Sequence, residues 1–366
     1  MAASIWQGAP RSAALPRTTT HDVMGLLLGL ALVANTGCGR TPTVQAATLI
    51  ASPVFNSYRL NGSVKPVRDP SMIRQGNTYY LFSTDDGAPA GGSIKIRCSS
   101  DLNIWTDCGD VFPGIPAWVS EQVPGVVGLW APDISYFNHA YHLYYVGSIF
   151  GTNKSVIGLA TNLTLDPKDP SYAWIDQGEV LSSERGDDFN ALDPNVFIDS
   201  DDTIWLSYGS FWTGIKQAAI DPTTGKLLTG ASEVISLAAR PDSSPHAIEA
   251  PFLVHRGTYY YLFASFGLCC TANPYQSDYR IMVGRGPSAH GPFVDQNGVP
   301  MLQGGGTELI TGSGSGWNAP GGQSIFLDPE SGASTIVFHA HSLPTGTPYL
   351  FVNSLSWEND WPQIVP

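Results

Sequence analysis

Asn190-Ala-Leu-Asp-Pro-Asn-Val-Phe-Ile-Asp-Ser-Asp-Asp-Thr-Ile-Trp-Leu-Ser-Tyr-Gly-Ser-Phe-Trp212 contains an apolar run opened by Pro194, an acidic turn and an aromatic-rich run. Short β-branched and aromatic runs bounded by turn residues read as strands. The same pattern recurs four more times. Arg68-Asp69-Pro70-Ser71 leads to Tyr79-Tyr80-Leu81-Phe82, and Trp130-Ala131-Pro132-Asp133 leads to Tyr141-His142-Leu143-Tyr144-Tyr145. Glu249-Ala250-Pro251-Phe252 leads to Tyr259-Tyr260-Tyr261-Leu262-Phe263, and Asn318-Ala319-Pro320-Gly321 leads to Thr335-Ile336-Val337-Phe338. Successive prolines are 62, 62, 57 and 69 residues apart.

A repeat built from short strands cannot bury its apolar face alone, so its copies must stack or close on one another. Each copy has room for about four short strands, and radial repetition of four-stranded sheets leaves only short, protected edges. The expected fold is therefore all-β, a five-bladed β-propeller. Proline lacks an N–H and is tolerated at the first residue of a strand. Each proline is thus expected to open the innermost strand of a blade, and the residues before it to converge on one mouth of the central channel. Three of these five strand-starts are acidic: Asp69, Asp193 and Glu249. An Asp beside a Pro also serves to cap turns. Strand geometry alone asks for no carboxylate here, because Ala131 and Ala319 fill the same place.

Of the 366 residues only 13% are charged and 11% aromatic, with 39 Gly and 28 Pro, a composition suited to turn-dense β structure. The repeat runs from about residue 60 to the end without a linker, so one closed domain is expected over 48–366. A net charge of −13 excludes nucleic acid as a partner, since phosphate binding needs clustered Lys and Arg. It also disfavours an acidic polysaccharide, leaving a neutral substrate.

Residues 1–47 read as a leader. Met24 to Ala34 is an apolar run with Arg11 and Arg17 upstream. It is too short to span a bilayer and fits the core of a signal peptide cleaved after Ala46. Cys38 after Gly37 offers a lipoprotein site as the alternative, against which stands Asn35. The expectation is a secreted, extracellular, monomeric protein with no membrane span.

Cys98 and Cys108 flank a turn and suit a hairpin disulfide in an oxidising compartment. Adjacent Cys269 and Cys270 suit either a vicinal disulfide or two small buried thiols, and the sequence leaves both open. There is no C-x-x-C pair to suggest zinc. Asn61-Gly-Ser, Asn153-Lys-Ser and Asn162-Leu-Thr are glycosylation sequons in a eukaryotic host.

In chain order, Thr48 to Lys65 is a lead-in that completes the last blade or lies across it, and Gly87 to Gly92 is a hairpin connection. Pro113 to Gly128 is a long loop leading to Trp130. Gly147-Ser-Ile-Phe150-Gly151, Gly209-Ser210-Phe211-Trp212 and Ser265-Phe266-Gly267 are matching turns expected on the side of the acidic strand-starts. Aromatic rings beside carboxylates suit sugars, whose C–H faces stack on rings while hydroxyls bond to polar groups. Trp130, Phe150, Gly151, Asn190, Ser210, Phe211 and Trp212 are the candidate substrate contacts. Glu308 reads as a solvated turn residue, and His339 and His341 as satisfied core or surface histidines.

There is no G-x-S-x-G and no zincin helix motif, so carboxylate chemistry remains. Glycoside hydrolysis needs one carboxylic acid to protonate the leaving oxygen and one carboxylate to serve as base or nucleophile. A third carboxylate nearby raises the pKa of the acid, because neighbouring carboxylates resist joint ionisation.

Val67-Arg68-Asp69-Pro70-Ser71, Leu129-Trp130-Ala131-Pro132-Asp133, Asn190-Ala191-Leu192-Asp193-Pro194-Asn195 and Ile248-Glu249-Ala250-Pro251-Phe252 together resemble the family 43 glycoside hydrolases. Tyr279-Arg280-Ile281-Met282-Val283-Gly284-Arg285 and Gly209 to Lys216 resemble its arabinan endo-1,5-α-L-arabinanase branch. The resemblance spans roughly residues 64 to 362. It implies a five-bladed propeller, an inverting mechanism, and arabinan or arabino-oligosaccharides as substrate. It further implies Asp69 as general base, Glu249 as general acid and Asp193 as the residue that orients the acid and raises its pKa. Alternatives on the same fold are an exo-acting α-L-arabinofuranosidase or β-xylosidase, or a sugar-binding propeller without catalysis.

The chain departs from the family pattern twice. Arg68 stands where the family commonly has His, and its positive charge favours an ionised Asp69. The family's Gly-Pro-Gly-His, whose His ligates a calcium or similar ion in the channel, here reads Ala319-Pro320-Gly321-Gly322-Gln323. Gly322 puts channel calcium in doubt, and Gln323 is the one candidate ligand nearby. No organic cofactor is implied.

Overall fold

A computed structural model describes residues 55, 59–85, 93–228, 230, 233–271, 273–314 and 316–365. The leader, with Cys38, and the Gly87 to Gly92 connection lie outside these residues. Among the described residues twenty-one strands form five sheets, each built from consecutive strands. A two-residue strand, β1 (Asn61–Gly62), precedes the first blade, which comprises β2 (Ser71–Gln75), β3 (Thr78–Ser83), β4 (Lys95–Ser99) and β5 (Ile104–Asp110). A short helix, α1 (Ala117–Gln122), leads into the second blade: β6 (Leu129–Phe137), β7 (Ala140–Ser148), β8 (Ser155–Asn162) and β9 (Ile175–Ser183). The third blade is β10 (Asn195–Ile198), β11 (Ile204–Tyr208), β12 (Ile215–Ile220) and β13 (Ile235–Ala238). The fourth is β14 (Ile248–Arg256), β15 (Tyr259–Phe266), β16 (Arg280–Gly286) and β17 (Thr307–Ile310). The fifth is β18 (Trp317–Leu327), β19 (Ser334–Ser342), β20 (Pro348–Glu358) and β21 (Trp361–Val365).

Strands inside a blade are covered on both faces and read as near-continuous apolar runs. All of β7 but Ala140 is buried, whereas its outer neighbour β9 begins with three exposed residues. Gly158 lies in the middle of β8 because a side chain there would strike the Tyr145 ring. Five apolar clusters fill the seams between neighbouring blades. Phe82, Ile96 and Tyr145 join the first two, and Tyr144, Leu159 and Leu206 the next pair. Ile215, Leu262 and Phe266 follow, then Phe263, Phe338 and Phe351. Leu81, Trp105, Val337 and Leu350 join the last blade to the first. Each sheet therefore buries its faces only by having two neighbours, and the ring closes.

Among its described residues the lead-in adds no strand to the last blade; β1 pairs parallel with β5, the outer strand of the first. The chain then straps the last seam, where Val67 donates to Pro348 O (3.2 Å) and Leu350 to Val64 O (2.9 Å). Phe55 nonetheless packs edge-on against Phe351 of the last blade.

Two details differ from the sequence reading. The segment Pro113 to Gly128 is not all loop: Pro116 precedes α1, whose Val119 is fully buried. Trp118 Nε1 donates to Asp176 Oδ2 and Gln122 Nε2 to Glu179 Oε2, fastening this turn of helix to β9. Glu308 is exposed on β17 opposite Met282, a strand position and not a turn. Cys98 and Cys108 are bonded across the β4–β5 hairpin, and Cys269 and Cys270 to each other in the loop after β15. No helix among the described residues is long and apolar enough to cross a membrane.

Candidate active site

The five X-Pro steps share a backbone feature. Asp69, Ala131, Asp193, Ala250 and Ala319 have φ of 49°, 39°, 53°, 51° and 53°, all left-handed. A residue before proline is disfavoured in the right-handed helical region. Here the left-handed conformation breaks the ladder at a bulge, seen between Trp130 and Asp133, Glu249 and Phe252, and Asn318 and Gly321. Asp69 and Asp193 are thus equivalent positions, as expected. Glu249 is not: its blade places Ala250 there. Glu249 stands one residue earlier, in line with Arg68, Trp130, Leu192 and Asn318. Its carboxyl reaches the same mouth on a longer side chain.

Asp69 is held from its own blade and from the fifth. Thr84 Oγ1 donates to Asp69 Oδ2 at 2.5 Å and accepts the Ala131 N–H at 2.8 Å, tying the first two blades together. The Asp69 N–H donates to Nδ1 of buried His339 in the fifth blade at 3.2 Å. The Asp69 side chain keeps 29% of its surface exposed, so a water can reach it. Asp193 Oδ2 accepts the Ala250 N–H at 2.9 Å. Both oxygens of Glu249 are occupied: Tyr279 Oη donates to Oε1 and Ser210 Oγ to Oε2, each at 2.8 Å.

These surroundings disfavour the charged forms of Asp193 and Glu249. Burial, then the charges of Glu249 and Asp69, raise Asp193 well above the usual carboxylate range. Burial also raises Glu249, assisted by the charge of Asp69 and opposed by the bonds from Tyr279 and Ser210. Removing carboxylates from water disfavours their charged form, and crowding them does so again. Two of the groups at this mouth therefore resist ionisation beside Asp69, whose carboxylate accepts from Thr84 and meets open water. Beneath the mouth a cavity of about 30 Å³ is lined by Asp69, Asp193 and Asp133 among others. Asp133 is pushed up to about 7 by burial, partly offset by the Val196 N–H and Ser71.

The candidate sugar contacts divide. Phe150 is 77% exposed in the turn after β7, beside exposed Gly151. Trp130, Phe211 and Trp212 are half-buried, and Phe211 N–H is bonded to Ile248 O, next to Glu249. Ser210 touches Glu249 itself. Asn190 is buried, its Oδ1 accepting from Ser155 Oγ and its Nδ2 donating to Thr152 O. Thr84, Tyr279 and His339 were not among the candidates. Their roles depend on partners up to 270 residues away, which no local pattern reveals.

The residues at the expected channel-ion position do not fit that role. A side chain on Gly322 would run into the Asp69 carboxylate and His339 Nδ1, and φ there is +57°. Gln323 Oε1 accepts from Ser265 Oγ (2.9 Å) and its Nε2 donates to Ala250 O (2.7 Å), so the amide is spent on joining blades.

A five-bladed propeller that crowds carboxyls whose charged forms are disfavoured at one mouth has the equipment of a glycoside hydrolase. Residues 64–362 match the family described as glycosyl hydrolases family 43, and the chain belongs to that family. It is 39% identical over 326 residues to an extracellular endo-α-(1→5)-L-arabinanase of Bacillus subtilis, covering 87% of this chain and 95% of that protein. It is 37% identical to an extracellular exo-α-(1→5)-L-arabinofuranosidase of Cellvibrio japonicus, with 81% and 86% covered. The solved Cellvibrio cellulosa α-L-arabinanase in complex with arabinohexaose superposes with a TM-score of 0.75 at 36% identity, covering 82% of this chain and 95% of that one.

Proposed function

We propose that this enzyme is a secreted endo-1,5-α-L-arabinanase that cuts internal links of arabinan with inversion. The observation that carries this reading is the convergence of Asp69, Asp193 and Glu249 from three blades on one mouth, in a chain whose relatives act on α-1,5-arabinan. Asp69, ionised and open to water, takes a proton from the attacking water as its oxygen bonds to the anomeric carbon. Glu249 gives its proton to the glycosidic oxygen as that bond breaks. Asp193, pinned by the Ala250 N–H, keeps a negative or proton-sharing neighbour against Glu249 and so holds the acid protonated. Trp130, Phe150, Phe211 and Trp212 offer faces for furanose rings.

The mode of attack is read from early products on linear arabinan. A ladder of mixed oligomers is expected. A single short product from the outset would replace the endo reading with the exo one.

Tyr279→Phe tests the tuning of the acid. Tyr279 is fully buried, so Phe fills its place, but the bond that favours ionised Glu249 is lost. The Glu249 pKa should rise, the acid should stay protonated to higher pH, and the basic limb of the kcat/KM profile should move upward. The plateau should fall by up to about tenfold, the worth of one hydrogen bond. A basic limb that moves downward would contradict the assignment of Glu249 as the acid.

A further inference from the structure

Behind the Asp69 wall, Cys269, His339 and His341 place a sulfur and two ring nitrogens within 4.8 Å of one another. His339 is fully buried, His341 nearly so, and Cys269 half-buried at the solvent side. The rings of the two histidines meet edge to face at 5.5 Å, and Cys269 Sγ lies 3.9 Å from His339 Nε2. His341 Nδ1 is 3.0 Å from Gly346 O, so its proton resides there and Nε2 carries the lone pair. In the structure Cys269 is bonded to Cys270, which removes the thiolate a metal would need.

We propose that Cys269, His339 and His341 form a redox-gated site for zinc or a similar borderline transition metal, closed by the Cys269–Cys270 disulfide and opened by its reduction. One thiolate and two imidazoles suit zinc and leave a fourth position for water. The set contains no oxygen ligand, so it is unsuited to the hard cations that carboxylates and carbonyls hold. Ligand atoms around tetrahedral zinc stand roughly 3.5 Å apart. Closing from the observed spacing requires about 1 Å of movement, which the loop carrying Cys269 between β15 and β16 can supply.

The chemistry balances with a dithiol as reductant. It supplies two electrons and two protons, the S–S bond becomes two thiols, and the reductant closes its own disulfide. Zinc then displaces the Cys269 thiol proton to water. His339 must shift its ring proton from Nε2 to Nδ1 to ligate. Nδ1 lies 3.6 Å from Asp69 Oδ1, so the proton then faces that carboxylate, the usual carboxylate–histidine–metal arrangement. The Asp69 N–H loses its acceptor at the same time. A further consequence rests on the proposed role of Asp69 as base: metal loading should slow hydrolysis.

Cys270→Ser in the full chain tests this without reductant, since it frees Cys269 and spares the Cys98–Cys108 bond. Titration with cobalt(II) should give one equivalent bound, with a thiolate-to-cobalt charge-transfer band that zinc abolishes. The oxidised wild type should show no band, and gain one on reduction with a dithiol. Adding His341→Gln to the variant should weaken binding more than about tenfold. Absence of the band in a Cys270→Ser protein that keeps its native circular dichroism would overturn the site, as would an equal band in Cys269→Ser. The band does not depend on the catalytic reading. Zinc should lower turnover by Cys270→Ser at least tenfold and leave the oxidised wild type unchanged; a band with unaltered turnover would refute the coupling to Asp69.

Discussion

Glu249→Gln is expected to leave the propeller intact and to lower kcat on arabinan by about 10²–10⁴, the contribution of a positioned general acid. Gln has nearly the shape of Glu, and its amide oxygen can still accept from Tyr279 or Ser210. Relieving a carboxyl crowded by Asp69 and Asp193 should cost the fold little, because burial already disfavours the charged forms of both Glu249 and Asp193. The loss should be confined to steps in which the leaving oxygen needs a proton. Initial rates on linear arabinan, together with an unchanged thermal transition, check both halves of the expectation.

Asp69→Asn is expected to produce a loss of similar size, about 10²–10⁴, for a different reason. Thr84 Oγ1 can still donate to the amide oxygen, and the backbone N–H can still reach His339 Nδ1, so the left-handed turn at residue 69 should survive. An amide cannot accept the proton of the attacking water. The defect should therefore persist whatever the leaving group. Rates of the Asn variant on natural and activated substrates, compared at one pH, check this.

The fold was legible because its decisive signal is local. Five X-Pro steps, each followed by a polar turn and an aromatic strand, mark five blade starts, and a proline at a strand-start has few other places to be. The same signal puts Glu249 one residue out of register, since an acidic residue near a proline reads as the residue before it. Only the backbone, with Ala250 in the left-handed position, separates the two. Helix α1 was hidden by the turn residues Pro113, Gly114 and Pro116 around it, and one buried Val119 is too little periodicity to read. The site's supports were illegible for a topological reason. His339 reaches Asp69 across the seam that closes the ring, 270 residues away in the chain, while Thr84 and Tyr279 meet the carboxyls of their own blades through folds of the chain that no sequence spacing announces. Gly322 shows the converse: the sequence registered a missing ligand, whereas the structure shows a place where Asp69 and His339 leave no room for a side chain.

The division of labour between Asp69 and Glu249 is tested most directly by leaving-group dependence. Both variants are assayed on arabinan and on an aryl arabino-oligosaccharide, whose phenolate departs without a proton. Glu249→Gln should regain activity on the aryl substrate to within about tenfold of the wild type, and Asp69→Asn should remain about 10²–10⁴ below it on both. Rescue of the Asp69 variant, or none for the Glu249 variant, would contradict the assignment of acid and base at this mouth.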